Sequence, residues 1–469
     1  MEQLSGQDAS FIYSERGHAP THITSIGIYD QSTAPDGLVT FKGILGEIEP
    51  RLHLARAFRQ KVARVPSDLD HPWWVEDANF DLEYHVRHIA LPKPGDWRQF
   101  CIQVARIHAR PLDLSRPLWE MYVIEGLDAI DGVPVGAFGL VTKIHHAAVD
   151  GMSGVEMITA IHTQTPELEI PDPPDVPWQP DDDPSTIDLL GRAGVNALTV
   201  PRRGLRLATK MVPGAARAVR VQQRQREAAP LATAPASRFN GPVSPHRVID
   251  ACFFEFADLK PMRALVPGAT VNDVALSVLG GGLRQYLLDA AELPDTPLRA
   301  MTPVSVRADT EKEALGNQVS AMLVSLATDL DDPVERLAAV HASTTASKEM
   351  TEAIGARNLT ELSQFAPGAL IGLGTRLAGQ FSRTGTATAV NTVVTNVPGP
   401  RQPLYFVGAE LVRSFGAGPV VDGMGIINIV GTYIDQFVLS FTADREMMPD
   451  PAHYASCIND SFHALQAAT

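Results

Sequence analysis

The chain predicts a mixed α/β fold in two parts, and three observations carry that expectation. Its 469 residues exceed what one comfortable hydrophobic core organises, and with 45% of them hydrophobic there is apolar mass for two. Both parts combine apolar stretches of helical period with alternating, strand-like ones. Between them, residues 166–245 change composition abruptly. Residues 166–188 hold seven prolines among Asp172, Asp175, Asp181, Asp182, Asp183 and Asp188, a mixture that propagates neither a helix nor a central strand. The expected organisation is 1–165, a crossover linker over 166–245, and 246–469.

In chain order, the polar and acidic start from Met1 to Asp8 lacks the basic and then apolar run of an export signal, so export is not expected. Residues 136–144 form an apolar, β-prone run that ends at two histidines. Residues 154–161 then place Val155, Ile158 and Ile161 at helical spacing, so strand, loop and helix follow one another. Within the linker, Arg192 to Arg226 holds nine Lys or Arg and no acid, interspersed with Leu205, Leu207, Met211, Val212 and Val219, which suits helices with one basic side. The alternating 248–256 reads as a strand. A helical stripe runs from Asn272 to Leu288, and later segments alternate like strands. The apolar run at 424–434 is too short to span a bilayer, so membrane contact is expected to be peripheral.

A net charge of −15 argues against nucleic acid as a general partner, because phosphate binding needs a basic face. The three cysteines, Cys101, Cys252 and Cys457, stand far apart without metal-like spacing, as in a reducing compartment with no disulfide framework.

The sharpest chemical signal is His145-His146-Ala147-Ala148-Val149-Asp150-Gly151, where the buried strand gives way to a loop. A neutral histidine can take a proton from an alcohol and return it to a thiolate leaving group. Asp150, followed by the turn-permitting Gly151, can fix the loop and the histidine's orientation. The bland reading is a structural histidine beside an ordinary Asp-Gly turn. Neighbouring histidines on a strand point to opposite faces, so His145, His146 and Asp150 are not expected to hold a metal. A serine nucleophile is disfavoured, because Val155 stands where a G-x-S-x-G elbow starting at Gly151 needs glycine. No phosphate-binding glycine motif is present, so nucleotide chemistry has no support.

With Leu4-Ser5, Asp8-Ala9-Ser10-Phe11, Pro117-Leu118-Trp119, Asn272-Asp273 and Asn396-Val397-Pro398-Gly399-Pro400, the motif resembles, nearly end to end, the bacterial wax ester synthase/acyl-CoA:diacylglycerol acyltransferase family. That family belongs to the coenzyme A-dependent acyltransferases carrying H-H-x-x-x-D-G. Thr21-His22 departs from the Met-His of many members. The resemblance implies two chloramphenicol acetyltransferase-like α/β domains with mixed sheets, facing across a central tunnel. It implies that His146 is the general base, that Asp150 orients it, and that His145 packs away from the reaction. Asn272 and Asp273 would either cap their helix or support the tunnel. Thr395 or Asn396 would donate to the oxyanion, against a reading in which the latter only forms a turn. Acyl-CoA would enter as a substrate, with no permanently bound cofactor. The acceptor would be diacylglycerol, giving triacylglycerol, or a long-chain alcohol, giving wax ester.

The expected location is cytoplasmic, with residues 192–226 as a candidate contact to the inner membrane or a lipid droplet, to the phosphates of coenzyme A, or only to the rest of the protein. Two other readings remain: a carrier-protein-dependent condensation enzyme, and a non-catalytic lipid-binding protein.

Overall fold

A computed structural model describes residues 1–149, 153–174, 178–180, 182–198, 234–305, 319–354 and 389–469. The first part runs β1 (Glu2–Gln3), α1 (Gly6–Ser14), β2 (His22–Asp30), α2 (Phe41–Ile48), β3 (Gln60–Ala63), β4 (Trp73–Glu76), α3 (Leu82–His85), β5 (Val86–Ala90), α4 (Trp97–His108), β6 (Trp119–Glu125), β7 (Phe138–His145) and α5 (Ser153–Ile161). Helix α6 follows at 186–198. The second part runs β8 (Arg247–Glu255), α7 (Leu259–Ala264), α8 (Val271–Asp289), β9 (Arg299–Ser305), β10 (Val319–Ser325), α9 (Pro333–Ile354) and β11 (Thr392–Val397). It closes with β12 (Tyr405–Phe406), β13 (Ala409–Ala417), β14 (Ile426–Tyr433), β15 (Gln436–Asp444) and α10 (Pro451–Ala467).

Two six-stranded mixed sheets organise these elements, as the two-part α/β reading expects. One has the order β12-β13-β2-β7-β6-β5, the other β10-β9-β11-β14-β15-β8. Each keeps parallel pairs among antiparallel ones: β5 with β6 in the first, β11 with both β9 and β14 in the second. Strands β12 and β13 come late in the sequence yet complete the first sheet, where β13 pairs antiparallel with β2. A small third sheet joins β1, β4 and β3.

The strand before the histidines is central because its side chains allow nothing else. All eight residues of β7 are buried, which is the pattern of a strand covered on both faces. Gly139 is small for a reason: a Cβ there would meet the Phe100 ring of α4 at 2.7 Å. Helix α4 owes its start to a capping box between Asp96 and Gln99. Its apolar face, Phe100, Val104 and Ile107, joins a cluster that takes Ile26 and Val141 from the first sheet, Phe415 from β13, and Ile249 and Val438 from the second sheet. That shared core fastens the two sheets to each other. Trp97 adds a directional tie, its Nε1 donating to Asp250 Oδ1 at 2.7 Å.

The described residues of the Pro/Asp-rich segment form no helix or strand between 166 and 174, and the segment is held against the first part: Trp178 donates to Glu76 Oε2 at 2.7 Å and lies under the Arg59 guanidinium. Cys101, Cys252 and Cys457 are all free thiols and buried. Among the described residues no helix is long and apolar enough to cross a membrane.

Inside β7 sits a fully buried ammonium. Lys143 Nζ lies 3.1 Å from Glu120 Oε2, its cross-strand neighbour, and donates to the carbonyls of Arg110 and Ile107 at 2.9 and 3.3 Å. Burial lowers the lysine pKa and Glu120 opposes that shift. Removing one partner of such a pair leaves an uncompensated buried charge. Glu120→Gln is therefore expected to destabilise the protein by about 3–5 kcal/mol, read from urea unfolding; a loss well below that would show that Lys143 does not need the carboxylate.

Candidate active site

His145 ends β7, and the chain then turns through a 3-10 turn at His146–Ala148. Pairing with β2 places His145 opposite His22, and the His146 amide donates to the Thr21 carbonyl at 2.9 Å. The two histidines part company at the strand end. His145 is fully buried and turned inward; His146 is partly accessible and stacks its ring on Phe11, centroids 3.9 Å apart and planes 14° from parallel.

The opening segment of the chain explains that stacking partner. Ser5 caps α1 by accepting from the Asp8 amide at 3.1 Å, and this nine-residue helix delivers Phe11 to the turn. Thr21, only 3% exposed, then ties helix, strand and turn together. Its hydroxyl donates to the Phe11 carbonyl at 3.0 Å, so the contact of 3.2 Å with His145 Nε2 must be one in which the ring nitrogen donates. His145 Nδ1 accepts from the Ala147 amide at 3.1 Å, consistent with the same tautomer. Glu15 completes the arrangement: one carboxylate oxygen accepts from the Thr21 amide at 3.4 Å and the other lies 3.5 Å from His145 Nε2. His145 is thus a strut for the turn, held by Thr21, Glu15 and the Ala147 amide.

Burial pushes the His146 pKa down to about 4, so the imidazole is neutral near pH 7. Its Nδ1 is buried without a hydrogen-bond partner among the described residues. Asp150 and Gly151 lie outside the described residues.

A second pair of histidines stands directly behind. His22 Nε2 contacts the His108 carbonyl, while His108 bridges Thr24 Oγ1 at 2.8 Å and the Gly418 carbonyl at 3.0 Å. The end of α4, strand β2 and the segment after β13 are joined there. Burial holds the His22 pKa well below its usual value and that of His108 down to about 3, so both rings are neutral packing groups.

The other expected site residues sit in the second part. Thr270, not Asn272, is the N-cap of α8, and Asp273 is the third residue of its capping box. Asp273 is fully buried and accepts from the Thr270 amide and hydroxyl, from Thr344 Oγ1 at 2.6 Å and from His341 Nδ1 at 3.0 Å. Burial would raise its pKa, but these bonds outweigh it and hold the carboxylate below its ordinary range. The Thr270 bonds close the cap of α8, and those from Thr344 and His341 tie α8 to α9. Asn272 is half-buried, and its Oδ1 has no hydrogen-bond partner among the described residues. Thr395 is half-buried near the end of β11, beside Ile429 of β14, and Asn396 is exposed. At the following turn Gly399 is needed for close approach, since a Cβ there would collide with the Thr432 carbonyl. No hydrogen bond among the described residues brings Thr395 or Asn396 to His146. Trp119 of the Pro-Leu-Trp segment is a core residue, 1% exposed, donating to the Phe58 carbonyl at 3.0 Å.

Thr21 and Glu15 are the supports that sequence reasoning missed. Thr21 entered that reading only as a departure from a family pattern, and nothing local in the sequence marks it as a node. A cavity of about 630 Å³, lined among others by Arg51, Thr159, His162 and Glu169, opens at the far end of α5.

Residues 4–275 match the model of the wax ester synthase/diacylglycerol acyltransferase catalytic domain, and 315–466 match the WS/DGAT C-terminal domain. Two relatives from Mycobacterium tuberculosis carry diacylglycerol O-acyltransferase as a provisional name. One is 32% identical over 96% of this chain and 87% of its own length; the other is 34% identical over 95% and 92%. A wax ester synthase/diacylglycerol acyltransferase from Marinobacter aquaeolei superposes with a TM-score of 0.70 at 25% identity, covering 100% of this chain and 99% of that one. The first condensation domain of the CDA synthetase shares the fold, with a TM-score of 0.55 at 13% identity over 99% and 95%.

The hub makes a structural prediction. Thr21→Val keeps the shape but leaves the Phe11 carbonyl and His145 Nε2 each short of a buried partner, so it is expected to destabilise by about 1–3 kcal/mol, while Thr21→Ser retains most of that stability. Urea denaturation of the two variants decides it; equal stability would remove Thr21 from its central position.

Proposed function

Because the chain belongs to the wax ester synthase/diacylglycerol acyltransferase family, we propose that this acyltransferase moves a long-chain acyl group from acyl-CoA to the hydroxyl of diacylglycerol, giving triacylglycerol. The observation that carries the reading is His146: a neutral, largely desolvated imidazole at the end of a rigid central strand, clamped by Phe11 on its face and by Thr21 through its backbone. Acyl-CoA and the lipid alcohol are substrates that meet in a ternary complex. A long-chain alcohol, giving wax ester, is the second acceptor, a reading supported by the double name of the Marinobacter aquaeolei structure.

In this mechanism His146 takes the proton of the acceptor hydroxyl as its oxygen attacks the thioester carbonyl. The tetrahedral oxyanion collapses, the C–S bond breaks, and the imidazolium returns the proton to the coenzyme A sulfur. No covalent acyl-enzyme forms. The low pKa ensures that the ring starts unprotonated, and the imidazolium arises only as negative charge develops beside it in the same dry space. Asp150 and Gly151 shape the loop that follows, His145 holds it from behind, and Asn272 and Asp273 support the site from the start of α8. Thr395 donates to the oxyanion, with Asn396 as the alternative donor.

The proposed location is cytoplasmic, peripheral to a lipid surface. Support comes from α6, which exposes Ile187, Val195 and Leu198 immediately before the basic stretch. Of residues 192–226, those from 199 onward lie outside the described residues.

Purified protein with labelled acyl-CoA and a panel of diacylglycerol, monoacylglycerol and fatty alcohol tests substrate and residue together. Triacylglycerol is the expected main product, and His146→Ala is expected to lose about 10²–10⁴-fold in rate with the fold retained. In wild type, protonation removes the base, so kcat/KM should hold steady below pH 6.5 and fall only as pH drops through about 4. Alcohol-dependent thiol release that survives in His146→Ala would overturn the mechanism; product from the fatty alcohol alone would overturn the acceptor.

Thr395→Val removes a hydroxyl at constant shape. Loss of oxyanion donation is expected to lower turnover by about 10²–10³-fold with little change in KM. Wild-type turnover would shift the role to Asn396 or a backbone amide.

A further inference from the structure

Far along the chain from the motif, the last residue of α8 meets the beginning of α10. Asp289, His453 and Cys457 come together there, with their donor atoms all within 4.8 Å of one another. His453 Nε2 is 2.9 Å from Asp289 Oδ2 and 3.9 Å from Cys457 Sγ. His453 and Cys457 are four residues apart on α10, so one helix face presents both.

The geometry discriminates between two uses of these residue types. In a nucleophile–base–acid relay the carboxylate and the thiol engage different ring nitrogens, one orienting the base and the other receiving its proton. Here the carboxylate and the sulfur both approach Nε2, which no relay can use. Donors that converge on one point suit a single ion. With metal–sulfur bonds of about 2.3 Å and metal–nitrogen or –oxygen bonds of about 2.0–2.2 Å, a tetrahedral ion sets its ligands roughly 3.3–3.6 Å apart, within about half an ångström of the two separations from His453 Nε2, 2.9 and 3.9 Å.

The surroundings fit a cation too. Gln285 Nε2 donates to the other oxygen of Asp289 at 2.7 Å, leaving Oδ2 as the oxygen turned toward His453, an outer contact of the kind that orients metal ligands. Cys457 is buried, and burial together with the carboxylates of Asp289 and Asp460 pushes its thiol up to about 11. A nearby dication reverses that preference and binds the thiolate. The side chains of His453 and Asp289 are 41% and 40% exposed, which gives an ion a way in.

We propose that Asp289, His453 and Cys457 form a site for a divalent transition-metal ion, zinc(II) by the mixture of thiolate, imidazole and carboxylate donors, with water in the fourth position. Binding forms the metal–sulfur bond as the thiol proton passes to solvent, so one proton leaves per ion bound. The ion bridges the end of α8 and the first turns of α10. The site is separate from the His146 turn and plays no part in acyl transfer.

Cobalt(II) titration of the purified, metal-free full chain is the test. Wild type is expected to bind a single equivalent, with thiolate-to-metal charge transfer in the near ultraviolet and tetrahedral bands in the visible, both removed by added zinc(II). Cys457→Ser should abolish the charge-transfer band, and His453→Gln and Asp289→Asn should each weaken binding by about tenfold or more, judged against loss of an outer-shell contact. All three variants should keep wild-type acyl transfer. A wild-type protein without the charge-transfer band would overturn the site, as would a band that persists in Cys457→Ser and so belongs to Cys101 or Cys252. The two polar-ligand variants keep the test decisive should Cys457→Ser fold poorly.

Discussion

The pairing of β2 with β7 is the constraint on which the rest of this molecule depends. In that register His22 lies opposite His145, so the end of the most buried strand and the entry to its neighbour meet at one point. A one-residue slip would send Lys143 and His145 to the opposite face, away from Glu120 and Thr21. The register is also used on the other side of β2, where β13 pairs with it from far along the chain. One strand therefore aligns the histidine turn and stitches the late part of the sequence into the first sheet.

Around that register the polar groups are arranged so that almost nothing buried near the turn is left to choose its own state. Thr21 directs its hydroxyl proton to Phe11, which makes it the acceptor for His145. His108, with its two ring nitrogens placed between Thr24 and Gly418, is held in the same way. His146 is held differently: its ring is packed by an aromatic face, and its Nδ1, like that of His22, has no hydrogen-bond partner among the described residues. A buried polar atom without a partner is costly, and such costs concentrate where chemistry is done. Rigid neighbours, a stacked aromatic face and a partly accessible ring set His146 apart from the buried His22, His108 and His145.

The comparison of Asp273 with His146 shows why chemically similar signals mean different things. Asp273 came from a short Asn-Asp pair at a helix start, and the structure surrounds it with donors from Thr270, Thr344 and His341 until its carboxylate has no hydrogen-bonding duty left outside the protein. Cys457 makes the opposite point: its only neighbour in the sequence is a histidine one helical turn away, and the aspartate that completes the group comes from another helix.

The sequence by itself determined the two-part α/β organisation, the strand that ends in paired histidines, the helix from about Asn272 and the proline-rich break, because each is written in local periodicity and composition. It also singled out His146 and set His145 apart from it, since alternation along a strand separates neighbours. Only the tertiary structure decided that Thr21 and Glu15 hold the turn, that Phe11 covers the imidazole, and that β13 crosses into the first sheet. Those contacts join residues separated by as many as 393 positions, as between Thr24 and Ala417, and no period or motif encodes them. The reason is physical: local pattern specifies which face of an element is apolar, whereas the partner of each buried polar atom is chosen only when distant elements pack.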